Sequence, residues 1–405
     1  MRIVVMGGGV VGVTTAYQLL RDGHDVVLLE RHPDVASETS FGNAGMIAPG
    51  HSFVWSSPRA PMILLKSLVL SNQALRFRPS LDPALWHWSA LFLAQCTEAR
   101  AARNTRAKHR IAAYSQSVLH ETLAAESIAY DRNTRGILYF YATEAALARG
   151  VAHMQILAEC GQEIRVLDRA AIAALEPALA ETKTIAGGIH CPTDETGDCR
   201  LFTRALAGIC RARGAELRTG TEIARILVEK GQVAALETNA GQVRGDAYVL
   251  ALGCESPRLA RPIGVRLPVY PVKGYSLTIP IGNHRAAPTM GAIDEDNLVA
   301  ISRFGERIRV TATAEIAGYD TSHRPWDFAH MLSVVQRLFP DGADYDRAEM
   351  WAGLRPMTPS NLPILGRSRY PNLFLNTGHG HIGWTMSHGT ARITADLIAG
   401  RTPAI

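Results

Sequence analysis

Apolar residues open this chain as an unbroken run, Arg2-Ile3-Val4-Val5-Met6, too short for a helix and too continuous for a half-exposed strand. That pattern predicts a strand buried on both faces. Val13, Ala16, Tyr17 and Leu20 then recur at helical spacing, and Gly23 stands where a helix C-cap belongs. A second buried strand, 25–30, ends on the carboxylate of Glu30.

Further along, residues 55–115 read as mostly helical, broken at Pro58, Pro61, Pro79 and Pro83. An aromatic strand is expected at 137–141, helices at 145–160 and 170–175, and another helix after Asp198. From Ala215 the texture turns to β, with a hairpin at 223–228 and 233–238 around Glu229-Lys230-Gly231-Gln232. The run 247–253 is a buried strand ending in glycine, placed beside the first strand. Strict alternation then predicts antiparallel strands at 270–279, 298–303 and 307–313. An amphipathic helix at 328–339, a strand at 373–376 and a helix at 384–398 complete the chain.

Between the first strand and the first helix lies Gly7-Gly8-Gly9-Val10-Val11-Gly12, which matches G-x-G-x-x-G. Gly7 permits the tight turn, Gly9 lets backbone approach a pyrophosphate, and Gly12 lets helix and strand pack closely. The helix N-terminus offers N–H groups and partial positive charge to phosphates. Glu30 is placed to accept hydrogen bonds from a ribose. A dinucleotide is therefore expected here. The small and hydroxyl residues of 38–46 suit either a loop wrapped around that ligand or a plain surface loop.

Thr377-Gly378-His379-Gly380-His381-Ile382-Gly383 forms a second glycine-rich turn feeding a helix. Two such turns, one at each chain end, suit a flavin better than a nicotinamide. The second helix N-terminus would favour negative charge gathering on a reduced flavin ring.

Composition narrows the reading. At 405 residues with 47% hydrophobic and 20% charged residues, the chain is expected to bury a large core, as one unit or two domains. The formal charge of +5 is mild, and its basic residues are scattered except between Arg100 and Arg110. No nucleic-acid motif accompanies them. The six cysteines lack CxxC spacing, so free thiols in a reducing compartment are expected. The stretch 62–70 is interrupted by Lys66 and too short to span a bilayer. Trp86, Trp88, Leu91, Phe92 and Leu93, followed by Arg100, Arg103, Arg106, Lys108 and Arg110, suit an interfacial helix on anionic lipid or a core helix with a solvated basic side. The acidic run Asp194-Glu195-Thr196-Gly197-Asp198 reads as a helix cap at Asp198 rather than a metal site.

Several of these stretches together closely resemble the bacterial D-amino acid dehydrogenases of the D-amino acid oxidase and glycine oxidase family. They are Gly7 to Gly12 with Glu30; Thr39-Ser40-Phe41-Gly42-Asn43-Ala44-Gly45; the run 194–198; Pro271-Val272-Lys273-Gly274-Tyr275-Ser276; the run 351–359 beginning Trp351-Ala352-Gly353-Leu354-Arg355; and the run 376–387. The likeness extends from end to end in the same order. It implies an α/β fold: a Rossmann-like, glutathione-reductase-like FAD-binding domain at 1–90, 165–260 and 345–405. An inserted α+β substrate domain on an antiparallel sheet would occupy 91–164 and 261–344.

The resemblance implies non-covalent FAD, since no cysteine follows Cys254. It implies oxidation of a D-amino acid to an imino acid, hydride leaving Cα for the flavin, and electrons passing to a quinone. D-proline or D-hydroxyproline substrates, an oxidase using oxygen, and a flavin-binding scaffold without turnover are the alternatives. The enzyme would be cytoplasmic, or peripheral on the inner face of a bacterial membrane. Arg355 would fork onto the substrate carboxylate, with Tyr275, Arg303 and His51 nearby. The cofactor would meet Val5, Gly7, Gly9, Val10, Val11, Gly12, Glu30, Arg31, Ser40, Asn43, Ala44, Gly45 and Met46. It would also meet Gly253, Gly353, His379, Gly380, Ile382, Gly383, Trp384 and Thr385. His381 and His388 depart from the small or hydroxyl residues expected in close relatives, and no metal is expected.

Overall fold

The computed structural model describes residues 1–67 and 75–405. The opening apolar run becomes the strand Arg2–Met6, paired in parallel with Asp25–Leu29 on one side and Ala247–Leu250 on the other. Glu216–Arg218 and Leu373–Thr377 extend this sheet in parallel, and Ile364–Arg367 closes one edge antiparallel. Its strands read as continuous apolar runs because both faces are covered. Ile3, Val5, Val26 and Leu28 pack with Val13, Tyr17, Phe202 and Trp384 from three helices, Val10–Arg21, Cys199–Ala212 and Gly383–Ile398. Val4, Met6, Val27 and Leu29 turn the other way, onto the meander Ile223–Glu229, Gln232–Thr238 and Gly241–Val243.

The second sheet is nine-stranded. Its order runs Glu349–Met357, Tyr270–Pro280, Arg307–Ile316, Val299–Phe304, Gly291–Asp294, Ile137–Tyr141, Gly187–Cys191 and Arg165–Asp168, with Leu75–Phe77 paired to Arg307–Ile316. Leu277, Ile279, Val310 and Ala312 face the helix Ala329–Leu338 through Met331, Val334 and Leu338. The opposite face of its long central strands looks toward the first sheet and forms the wall of the candidate site.

This division differs from the expected domain limits. Arg165–Asp168, Gly187–Cys191 and Glu349–Met357, assigned from sequence to the first domain, all belong to the second sheet. Alternation marks a segment as strand but does not name its partner. Helix Glu98–Ala125, assigned to the substrate domain, packs on Gly383–Ile398 of the first unit, so closely that a β-carbon at Gly389 would lie 2.9 Å from Ser115 Cα. Of the stretch 62–70, residues 62–67 form the end of helix Ala60–Ser67, and 68–70 lie outside the described residues. Leu75–Phe77 is a strand inside the region read as mostly helical.

Gly12 sits where a β-carbon would overlap the carbonyl oxygen of Gly7, and that oxygen is backbone that cannot swing aside. Gly12→Ala is expected to destabilise the fold by about 1–3 kcal/mol or more and to lower bound flavin. Thermal melting and visible absorbance of the purified protein measure both. Gly208, exposed within helix Cys199–Ala212, has nothing within 4 Å of the corresponding position. Gly208→Ala should therefore raise stability by about 0.5–1 kcal/mol.

Candidate active site

One cavity of about 1670 Å³ runs from the glycine turn of the first sheet to the inward face of the second. At its first end Gly7 holds φ +109°, and a β-carbon there would approach the Ala251 carbonyl oxygen at 2.7 Å. Helix Val10–Arg21 starts at Gly9 without a side-chain cap. Ser40 Oγ accepts from the Val10 N–H at 3.0 Å, which draws the 38–46 loop over the turn. Glu30 is held by two backbone donors, Gly8 N–H at 2.7 Å and His32 N–H at 2.9 Å, and lines the cavity. A helix N-terminus without a side chain at its cap residue, glycines admitting a pyrophosphate and a fixed carboxylate fit a dinucleotide.

Most residues expected around the cofactor line this space: Gly7, Gly9, Val10, Val11, Glu30, Arg31, Ser40, Asn43, Ala44, Met46, Gly253, Gly353, His379, Gly380, Ile382, Gly383 and Trp384. Four do not. Val5 is sealed in the core of the first sheet, and Gly12 is closed off against Gly7. Gly45 backs onto Phe304. Thr385 binds the chain at Met46 and Ala48, accepting from the Ala48 N–H at 3.1 Å and donating to the Met46 carbonyl at 3.2 Å. These four support the walls rather than form them. The His379 imidazole turns away to Thr390 Oγ1 at 2.9 Å, and burial lowers its pKa to about 3.

At the far end, strands Tyr270–Pro280 and Glu349–Met357 pair so that Val272 faces Arg355 and Gly274 faces Gly353. Side chains of one face alternate, so Arg355, Gly353 and Trp351 share the inward face with Gly274. Both glycines are required by space: a β-carbon on Gly274 would overlap the Arg355 guanidinium, and one on Gly353 would overlap the Trp351 ring. Arg355 Nη1 donates to the Lys273 carbonyl at 3.2 Å and the Thr313 carbonyl at 3.0 Å. Among the described residues nothing accepts from Nη2. Burial pulls this guanidinium down to about 10, which leaves it charged at neutral pH.

Two of the residues expected beside Arg355 lie elsewhere. The alternation that turns Arg355 inward sends Tyr275 to the outward face, against Phe328, with its hydroxyl donated to Glu315. Tyr275 is among the residues lining the cavity, but its phenol is engaged by Phe328 and Glu315 and not by Arg355. Arg303 sits near the exposed hairpin tip, donating to the Gly305 carbonyl at 3.1 Å and meeting His284 Nδ1 at 3.0 Å. His51 does line the cavity, stacked on Tyr139 at 5.9 Å between centroids. Burial, with Lys108 and His153 adding to it, lowers its pKa to about 4, so it is neutral at pH 7.

Sequence reasoning missed three contributors. Trp55 lies 4.6 Å from His381 in a stack and 5.9 Å from the Arg355 guanidinium. Lys108, read as part of a solvated or lipid-facing basic run, is fully buried. Arg100, Arg103, Arg106 and Arg110 are exposed, and Lys108, two positions on from Arg106 and so turned to another side of the helix, is the member that faces inward. Arg309 donates to the carbonyls of Phe41 at 3.1 Å and Asn43 at 2.9 Å, fastening the 38–46 loop to the second sheet. Nothing in the local pattern distinguishes it from Arg307 two residues earlier.

The acidic run is consumed by structure. Asp198 caps helix Cys199–Ala212 by accepting from Arg200 N–H at 2.9 Å and Leu201 N–H at 3.1 Å, and it pairs with Arg307 at 2.9 Å. Glu195 pairs with Arg132 at 2.6 Å. Asp194 accepts from Gly50 N–H at 3.1 Å and Tyr139 hydroxyl at 3.0 Å, behind His51.

Comparison with known proteins decides the family. A family model described as FAD dependent oxidoreductase matches residues 2–397. The chain belongs to that family. Its cofactor is FAD, and the turn, helix terminus and carboxylate above are the groups suited to hold it. The chain is 44% identical over 407 residues to D-amino acid dehydrogenase 2 of Mesorhizobium japonicum, covering 100% of this chain and 98% of that one. It is 45% identical over 409 residues to the D-amino acid dehydrogenase of Paramagnetospirillum magneticum, covering 100% and 96%. The fold is that of the glycine oxidase of Geobacillus kaustophilus, with TM-score 0.76 and 24% identity over 100% of this chain and 96% of that one.

Burial pushes the Asp194 carboxyl up to about 7 from its ordinary 3.8, against its hydrogen bonds. The native state therefore binds this proton more tightly than the unfolded chain. Its contribution to stability falls as pH rises from about 4 to about 7 and is level above that. Asp194→Asn should flatten this part of the profile, read as melting temperature against pH.

Proposed function

We propose that this flavoprotein oxidises D-amino acids to imino acids, which water hydrolyses to 2-oxo acids and ammonia, and that its electrons pass to a quinone at a membrane surface. The observation carrying the reading is Arg355 at the end of the cavity opposite the dinucleotide turn, its Nη1 held by two backbone carbonyls and its Nη2 without an acceptor among the described residues. A planar, always-charged fork suits a carboxylate, and its fixed position sets where Cα lies. The identities to named D-amino acid dehydrogenases support the substrate class.

Bound FAD supplies the two-electron acceptor. The chain supplies position: Arg355 anchors the carboxylate, Trp55 and Trp351 wall the space, and buried neutral His51 adds no charge. No side-chain base is needed, because an amine that has lost its proton already has the lone pair that drives hydride departure. Anaerobic addition of a D-amino acid should bleach the yellow spectrum, and its L-enantiomer should not. Bleaching by neither hand would end the reading. Arg355→Ala should raise KM by about 30-fold or more, the loss expected when one partner of a buried charge pair is removed, while FAD stays bound.

The acceptor reading rests on the surface at the cavity rim. Helix Ala60–Ser67, strand Leu75–Phe77 and helix Pro83–Gln95 assemble through Phe77 and Trp86, whose rings lie 6.1 Å apart. They expose Met62, Leu65, Trp86 and Leu93, the loop before the second helix exposes Leu81, and Ile63, Leu64 and Leu75 line the cavity. Arg59 and Lys66 flank this apolar surface. Trp88 and Phe92 of the same helix are core residues, so the contact is a patch and not a whole helix lying in lipid. Among the described residues no helix is long and apolar enough to cross a membrane. A Met62→Glu, Leu65→Glu double variant should lose binding to anionic vesicles and reduction of vesicle-borne quinone, yet still reduce a soluble dye.

A further inference from the structure

Thr313 holds a backbone conformation that its own side chain opposes. It stands at φ +60°, in the left-handed region, where a branched β-carbon crowds the backbone. Every other non-glycine residue at positive φ among the described ones lies in a turn, a bend or a loop, whereas Thr313 lies inside strand Arg307–Ile316. Such a conformation persists only where its surroundings impose it, and it gathers at sites of function.

A bulge imposes it here. Gly274 pairs with Ala314 and the next residue, Tyr275, pairs with Ala312, so Thr313 is an extra residue opposite no partner on that strand. Toward Val299–Phe304 the pairing stops at Ala300 and Thr311, before Thr313 is reached. Ala312 packs outward with Tyr275, and Ala314 packs on the other face with Val272. With Thr313 taken away these two alanines would be neighbours facing opposite ways, as an unbroken strand requires. The ladder can close without the residue.

What the bulge supplies is an acceptor. The Thr313 carbonyl takes a hydrogen bond from Arg355 Nη1 at 3.0 Å. Arg355 belongs to Glu349–Met357, and strand Tyr270–Pro280 lies between that strand and Thr313. The guanidinium reaches Thr313 by crossing Gly274, where a β-carbon would stand 2.3 Å from Cζ. Along that crossing the Lys273 carbonyl accepts at 3.2 Å, and the Trp55 ring lies 5.9 Å away. Among the described residues no carboxylate pairs with Arg355, so these two carbonyls decide its direction. An arginine without them would have several staggered rotamers open to it.

We propose that the Thr313 bulge is a positioning device for Arg355: it turns one carbonyl out of the ladder and so fixes the guanidinium where the α-carboxylate of the substrate is received. This rests on Arg355 holding that carboxylate. Thr313 is a positioning residue that acts through its backbone. A carbonyl fixed by the sheet cannot swing aside, so the cation keeps its direction before substrate binds, and the carboxylate it anchors places Cα.

The assay takes, with a soluble dye, the D-amino acid that bleaches the flavin fastest and the amide of the same amino acid, which has no carboxylate. Thr313→Gly permits φ +60° without crowding, so it should melt at a higher temperature and keep KM for the acid within about twofold. Deleting Thr313 removes the carbonyl and closes the ladder. With FAD still bound, the deletion should raise KM for the acid about tenfold, the scale of one hydrogen bond to a charged group, and lower the acid-to-amide ratio of kcat/KM as much. Thr313→Pro, whose ring excludes φ +60°, should do the same. In an Arg355→Ala background the deletion should cost nothing further, because both changes act through one group.

An unchanged acid-to-amide ratio in the folded deletion or proline variant would overturn the proposal. So would a loss that multiplies with that of Arg355→Ala, or an equal loss in Thr313→Gly, which would assign the effect to the side chain. Failure of both the deletion and the proline variant to fold would overturn it as well, since the sheet itself would then need the bulge. Arg355→Ala with an unchanged KM would instead remove the clamp, and bleaching by no D-amino acid the activity, on which the proposal rests.

Discussion

Backbone-on-backbone contact at the first turn is the constraint on which the molecule depends. Gly12 lies against the Gly7 carbonyl with no space for a methyl group, and Gly7 lies against Ala251. That closeness draws the start of helix Val10–Arg21 into line with the ends of two parallel strands. Their backbone donors and the helix terminus then converge on one small volume. Glu30, at the end of the next strand, reaches the same volume because the parallel register carries Leu29 beside Met6. Any change that pushed helix and strand apart would scatter these groups.

A second constraint of the same kind operates across the cavity. Gly274 and Gly353 face each other in adjacent strands, and the volume they leave is taken by the Arg355 guanidinium and the Trp351 ring. The sheet thereby carries a large cation and a large aromatic on one face without bulging. Two carbonyls accept from one nitrogen of the half-buried guanidinium and fix its direction. Its other nitrogen has no acceptor among the described residues. Arg309 joins the two halves by holding the 38–46 loop, whose Ser40 in turn touches the first turn.

The readable parts of the site were those whose chemistry is local. The glycine turn with its strand, helix and carboxylate occupies thirty successive residues, and each residue type there answers a geometric need visible in one dimension. The end strands of the substrate sheet were readable as strands from alternation alone. Their partners were not, which is why Gly187–Cys191 and Glu349–Met357, placed by sequence with the first sheet's segments, pair within the second sheet. Tyr275 shows the same boundary at the scale of one residue. Its neighbourhood in sequence resembles a substrate site, but the pleat of its strand turns it outward while Gly274 faces in.

By itself, the chain's order of residues determined the dinucleotide turn, the strand runs and the cap at Asp198, because those depend on contacts within a few residues. Tertiary structure alone decided which face Tyr275 and Arg303 present, that Lys108 is buried among basic neighbours, and that Trp55, His381 and Arg355 meet. Those outcomes depend on how distant segments pack, and the burial of a lysine is set by the helix lying across it. A basic run on paper is one property; the dielectric around each of its members is another, and only the folded chain assigns it.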